Sequence, residues 1–160
     1  MENYEIKIDK DGIWYYNGAH MFRKEILSVF FQNLRIDECG RYLIELGPER
    51  CYLHVEDTAF VVAAVYKTNL RNDGRFQIDV LLSDDSCEKL EMNSLYVGRD
   101  NVLYCRVKKG KFTARFSRNS YYQLAEFIEQ SENGNHFFIN LNGEKYMISE
   151  SQASETECML

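Results

Sequence analysis

The chain has 160 residues, a formal net charge of −6, 45% apolar and 28% charged side chains. That is enough for one ordinary domain, or two small ones sharing an interface, with a core that needs no staples, and the excess of acid disfavours general affinity for nucleic acid. No apolar run approaches the ~20 residues of a membrane span, and the opening M-E-N-Y-E-I-K-I lacks the basic-then-apolar layout of a secretory leader.

Five cysteines, Cys39, Cys51, Cys87, Cys105 and Cys158, are odd in number, widely spaced and without a C-x-x-C pair. They are expected to be reduced core thiols in a cytoplasmic protein, not a disulfide framework or a zinc site.

In chain order, alternation over Tyr4, Ile6 and Ile8 predicts a strand closed by Asp11-Gly12. Asn17-Gly18 is a strong hairpin turn, and counting outward pairs Tyr16 with Ala19, Tyr15 with His20, Trp14 with Met21 and Ile13 with Phe22. Both resulting faces are apolar or aromatic, so this hairpin is expected to be covered on both sides, with His20 a buried imidazole. Leu27, Phe30, Phe31 and Leu34 then stand at i, i+3, i+4 and i+7, one face of a helix. After Gly40, residues 42–46 and 49–53 read as a second hairpin. The apolar run 59–66, rich in β-branched residues, predicts a buried strand. Asn72-Asp73-Gly74 turns the chain into residues 76–82, where Phe76, Ile78, Val80 and Leu82 alternate inward. Ser83-Asp84-Asp85-Ser86 ends that strand, and a connector with one helical turn runs to Gly98.

The next stretch organises the rest. With Lys109-Gly110 as central turn residues, Val107 pairs with Phe112, Arg106 with Thr113, Cys105 with Ala114 and Tyr104 with Arg115. Alternation puts Leu103, Cys105, Val107, Phe112, Ala114 and Phe116 on one wholly apolar face, and Tyr104, Arg106, Lys108, Lys111, Thr113 and Arg115 on the other. Ser117 is placed to cap a helix whose core face is Tyr121, Leu124, Ala125 and Ile128, and after Gly134 residues 137–141 and 144–148 form another hairpin. The order hairpin, helix, hairpin thus occurs twice. The expected fold is α+β and strand-dominated: duplicated units at 1–57 and 99–149, a central hairpin and connector at 58–98, and a tail at 150–160.

Several runs, I-D-K-D-G-I-W-Y-Y-N-G, F-R-K-E-I-L, R-Y-L-I-E-L-G-P-E-R and V-E-D-T-A-F-V within residues 8–61, and V-K-K-G-K-F-T-A-R-F-S-R-N-S-Y-Y-Q-L-A-E at 107–126, resemble the bacterial family termed domain of unknown function 1285. The resemblance covers nearly all of the chain outside the tail. It implies a bacterial origin and a fold length, and supplies no activity.

Residues 99–122 hold seven basic side chains against one acid, in a chain that is acidic elsewhere. Arginine forks bind carboxylate and phosphate groups, and aromatic rings add stacking area. Tyr104, Arg106, Lys111, Arg115, Arg118 and Tyr122 are therefore the candidate ligand-binding residues of a non-enzymatic binding module, whose partner is an anionic small molecule or an acidic protein surface. The competing expectations are a hydrolytic or metal-dependent enzyme built on His54, Glu56 and Asp57, and a scaffold that forms a homodimer through sheet edges. His54 and Glu56 share a strand face, two donors where a metal site needs three or four. Asp84-Asp85 is expected to cap a helix, and His136 to be exposed. There is no nucleophile elbow or phosphate loop, and no cofactor or metal is called for.

Overall fold

The computed structural model describes residues 4–70 and 74–150. Two compact units divide the chain, one ending at Ala59 and one beginning at Phe60. Among the described residues there are seventeen strands and two α-helices, a strand-dominated α+β fold. The turn expected at Asn72-Asp73 and all but the first residue of the tail lie outside the described residues.

The first unit contains β1 (Ile6–Ile8), β2 (Trp14–Tyr16), β3 (Ala19–His20), α1 (Lys24–Gln32), β4 (Leu34–Ile36), β5 (Tyr42–Leu46), β6 (Glu49–Tyr52) and β7 (His54–Val55). One sheet has the order β3-β2-β1-β7, with β7 parallel to β1, and a second has the order β4-β5-β6. The first turn is tied by Asp9, whose carboxylate accepts the backbone N–H groups of Asp11 and Ile13. Asn17-Gly18 forms the expected bend, both residues at positive φ, and Tyr15 pairs with His20 as counted. Ile6, Ile8 and Trp14 are buried from this sheet, and the Trp14 ring lies 5.0 Å from Phe31 and 5.9 Å from Phe30 of α1.

That hairpin is covered on one side only, which corrects the expectation. Phe22 is 75% exposed, and His20 is exposed between the rings of Tyr15 and Phe22. The ring contacts of α1 reach the Trp14 face, and apolar composition alone did not reveal which face had a partner. The helix itself ends at Asn33, whose amide donates back to the Val29 carbonyl, so Leu34 leaves the helix and is buried in β4 opposite Ile44.

The second unit contains β8 (Phe60–Leu70), β9 (Arg75–Leu82), β10 (Cys87–Lys89), β11 (Tyr96–Val97), β12 (Leu103–Val107), β13 (Phe112–Phe116), α2 (Arg118–Ala125), β14 (Ile128–Gln130), β15 (Phe137–Leu141), β16 (Glu144–Met147) and β17 (Ser149–Glu150), with 3-10 turns at Met92–Ser94 and Arg99–Asn101. Its main sheet has seven strands in the order β10-β9-β8-β13-β12-β11-β17, and β14-β15-β16 form a separate sheet. Ile78, Val80 and Leu82 of β9 are buried as the alternation predicts, each side chain contributing roughly 1.5–3 kcal/mol. The sheet curls on itself, because Glu88 of β10 accepts the Lys108 N–H of the β12–β13 turn, four strands away.

Continuous burial of residues 59–66 holds only through Val62. A register shift between Val62 and Ala64 turns the strand, and Ala63 and Tyr66 face solvent. The connector before Gly98 carries the expected helical turn, a 3-10 turn at Met92–Ser94, and also two short strands, β10 and β11. Ile128 pairs in β14 opposite Ile139 and is not part of the helix.

Candidate functional site

The hairpin formed by β12 and β13 has the register counted from the sequence, with Val107 opposite Phe112 and Tyr104 opposite Arg115. Lys109 (φ 59) and Gly110 (φ 80) are the central turn residues, and the Lys111 N–H donates to the Lys108 carbonyl at 3.2 Å. Positive φ at both centres matches the twist of the flanking strands. All six residues of the apolar face are buried, none more than 9% exposed.

The opposite face is less uniform than its composition. Tyr104 is buried, its ring stacked at 5.2 Å on Tyr96 of β11. A Cβ added at Gly98 would lie 2.7 Å from the Tyr104 ring, so glycine is required there by space. Arg115 is half-buried and engaged within the chain. The Arg106 guanidinium is exposed but fixed, donating to the Gly110 carbonyl at 2.6 Å and to the Thr113 hydroxyl at 2.7 Å. Lys108 is neutralised: its ammonium lies 2.7 Å from Asp84 and 2.8 Å from the Ser86 hydroxyl, above the Phe60 ring. Burial raises the Asp84 pKa, but the Lys108 ammonium and the Ser86 hydroxyl and amide outweigh it and hold the carboxyl below its ordinary value. Asp84 therefore ties the curled sheet together and caps no helix. Lys109, Lys111, Arg118 and Tyr122 are exposed, Tyr122 to 60%.

The six candidate residues thus separate into three groups. Tyr104 and Arg115 belong to the packed part of the sheet. Arg106 and Lys111, joined by Lys109, form a cationic tip on the hairpin, while Arg118 and Tyr122 stand on the first turns of α2.

The alternative group does not assemble a metal centre. His54 is exposed and stacked on Tyr4, and Glu56 accepts the Lys10 N–H at 2.7 Å. Among the described residues no three His, Cys, Asp or Glu side chains stand where they could hold an ion. The expectation of reduced thiols holds for Cys51, Cys87 and Cys105, although Cys87 is exposed, and fails at Cys39, which is disulfide-bonded. Burial pushes the Cys105 thiol up to about 12, so it is inert at neutral pH. No helix among the described residues is long and apolar enough to cross a membrane.

Three polar side chains missed in the sequence, Ser120, Gln123 and Asn142, control the sheet edges. β13 stops pairing with β8 at Val62, where the chain turns into α2. Ser117 caps that helix through the Ser120 N–H, while its own N–H and the buried Ser120 hydroxyl both donate to the Val62 carbonyl. Gln123 accepts the Val65 N–H at 2.7 Å. The buried face of α2 is therefore Ser120 and Leu124, and Tyr121 is exposed. On β9, beyond the end of β10, the Asn142 amide accepts the Phe76 N–H at 3.0 Å and donates to the Phe76 carbonyl at 2.8 Å. Each side chain supplies backbone partners that a neighbouring strand would otherwise provide.

No family model and no curated protein matches the sequence. Two solved structures are similar. One is a domain of unknown function 1285 family protein from Silicibacter pomeroyi, with a TM-score of 0.74 and 20% identity over 91% of this chain and 80% of that one. The other is a protein of the same family from Shewanella baltica, with a TM-score of 0.61 and 17% identity over 76% of this chain and 91% of that one. The chain has the fold of these two proteins, whose family is the one its own sequence motifs resemble.

Proposed function

We propose that the chain is a bacterial, cytoplasmic member of the domain of unknown function 1285 family, and that it is a non-enzymatic binding module. Its binding element is the tip of the β12–β13 hairpin, and its partner is an acidic protein surface. The observation that carries this reading is the state of Arg106. Its guanidinium is exposed yet held by the Gly110 carbonyl and the Thr113 hydroxyl, with exposed Lys109 and Lys111 beside it. A cation fixed before binding loses little side-chain entropy when a carboxylate arrives. The exposed hairpin tip suits a protein surface better than a small anion, which would need a concave site.

The pairing pattern also supports an internal duplication. In the first copy the sheet order β3-β2-β1-β7 is followed through α1 by β4-β5-β6, and the second copy has β13-β12-β11-β17, α2 and β14-β15-β16. In both, the last strand runs parallel to the first. β8, β9 and β10 extend only the second copy, which leaves its hairpin tip beside Asp84 and Glu88.

Fluorescence anisotropy with a labelled poly-L-glutamate peptide at low salt tests the site. The wild-type chain binds and weakens as salt rises, and Lys109→Glu/Lys111→Glu, which leaves the Arg106 staple intact, loses at least about tenfold in affinity. Equal binding by a normally folded variant refutes the proposal.

A further inference from the structure

A concave site lies elsewhere in the second unit, away from the hairpin tip. The start of β9, the connector after β10 and the β15–β16 hairpin enclose a cavity of about 310 Å³. That volume is at the lower end for small-molecule sites. Its walls combine Phe76 and Leu141 with Arg75, Lys89, Glu91, Glu144 and Tyr146.

The Asn142 turn is pinned to β9 by its two bonds with Phe76, which fixes the hairpin bearing Glu144 and Tyr146. On the opposite wall, Leu90 and Met92 are buried while Lys89 and Glu91 are exposed. Lys89 and Glu91 are thus the exposed residues of a wall that Leu90 and Met92 also line.

The charges are of both signs. The Tyr146 hydroxyl donates to Glu144 at 2.7 Å, which orients that carboxylate and leaves its other oxygen open. Lys89 makes no ion pair with Glu91 or Glu144, although all three line the same space. A simple anion would meet Glu91 and Glu144, and a simple cation would meet Lys89 and Arg75. A ligand carrying one charge of each sign meets neither penalty, and the apolar wall receives an aliphatic or aromatic substituent.

We infer that this cavity binds a small zwitterion of the α-amino acid class, its ammonium at Glu144 and Glu91, its carboxylate at Lys89 and its side chain against Phe76 and Leu141. This site and the proposed hairpin site share no residue, so either can fail alone.

The test is 15N-detected NMR titration of the full chain with L-leucine, L-methionine and L-phenylalanine. Each amino acid has two matched controls that lack one charge, its amide and its des-amino acid; for L-leucine these are leucinamide and 4-methylpentanoate. At about 10 mM, well above the Kd of a millimolar binder, at least one amino acid shifts amides in residues 89–93 and 141–146. Its matched control or controls bind at least about tenfold more weakly, and Lys89→Met and Glu144→Gln each weaken binding by a similar factor. Glu144→Gln keeps the acceptor for Tyr146, so it preserves the wall. No shift with any of the three amino acids overturns the inference, as does leucinamide or 4-methylpentanoate binding as well as L-leucine.

Discussion

Replacing Gln123 with methionine removes one hydrogen bond while keeping the length and helix propensity of the side chain. Its partner, the Val65 N–H, belongs to a residue only 7% exposed, and β13 ends before it can serve that donor. Leaving a buried backbone donor without a partner costs about 1–3 kcal/mol. Gln123 itself is exposed, so water reaches part of the gap, and the lower end of that range applies, about 1.4 kcal/mol or tenfold in an equilibrium constant. Amide hydrogen exchange reads this directly. The Val65 amide exchanges about tenfold faster in Gln123→Met, while Val80, the residue opposite it in β9, changes by much less. Gln123→Glu retains an acceptor and keeps the slow exchange. Unchanged Val65 exchange in the methionine variant would refute the idea that a helix side chain completes the sheet edge.

Two further outcomes follow from the packing around the hairpin. Gly98→Ala forces a methyl against the Tyr104 ring, which is stacked on Tyr96, and costs about 1–3 kcal/mol in urea denaturation. Tyr104→Leu in the same chain recovers part of that loss, and strict additivity of the two changes would exclude the clash as its cause. Asp84→Asn destabilises the second unit at neutral pH by about 1–2 kcal/mol, because Lys108 loses its anion in a half-exposed site. Since folding lowers the Asp84 pKa, the stability it contributes is complete above the ordinary aspartate value and disappears as pH falls through the lowered one. The gap between wild type and variant therefore closes in acid, and a gap that persists there argues against the ion pair.

Local rules carried the hairpins well. The β12–β13 register needed only alternation and one glycine, and the β5–β6 and β15–β16 hairpins fell at their expected residues, because strand pairs closed by short turns encode their own register. The errors share another cause. Leu34 and Ile128 continue a helical spacing, yet both pair in strands through partners several residues downstream. Tyr121 fits the helix period better than Ser120, but the strand end beneath α2 needs a hydroxyl more than a ring. For the candidate site, sign and composition were legible while engagement was not. Lys108 and Arg106 look alike in sequence, and only the curl of the sheet brings Asp84 to one of them.

The parallel pairing of β8 with β13 also governs the order of assembly. These strands are separated by about 50 residues, so their contact closes a long loop and cannot come from a turn. During synthesis β8 and β9 can zip into a ribbon early, but one side of β8 waits bare until Phe116 has left the ribosome. A ribosome stalled before that point would hold a half-finished sheet whose Phe60-Val61-Val62 edge is the natural landing place for a chaperone.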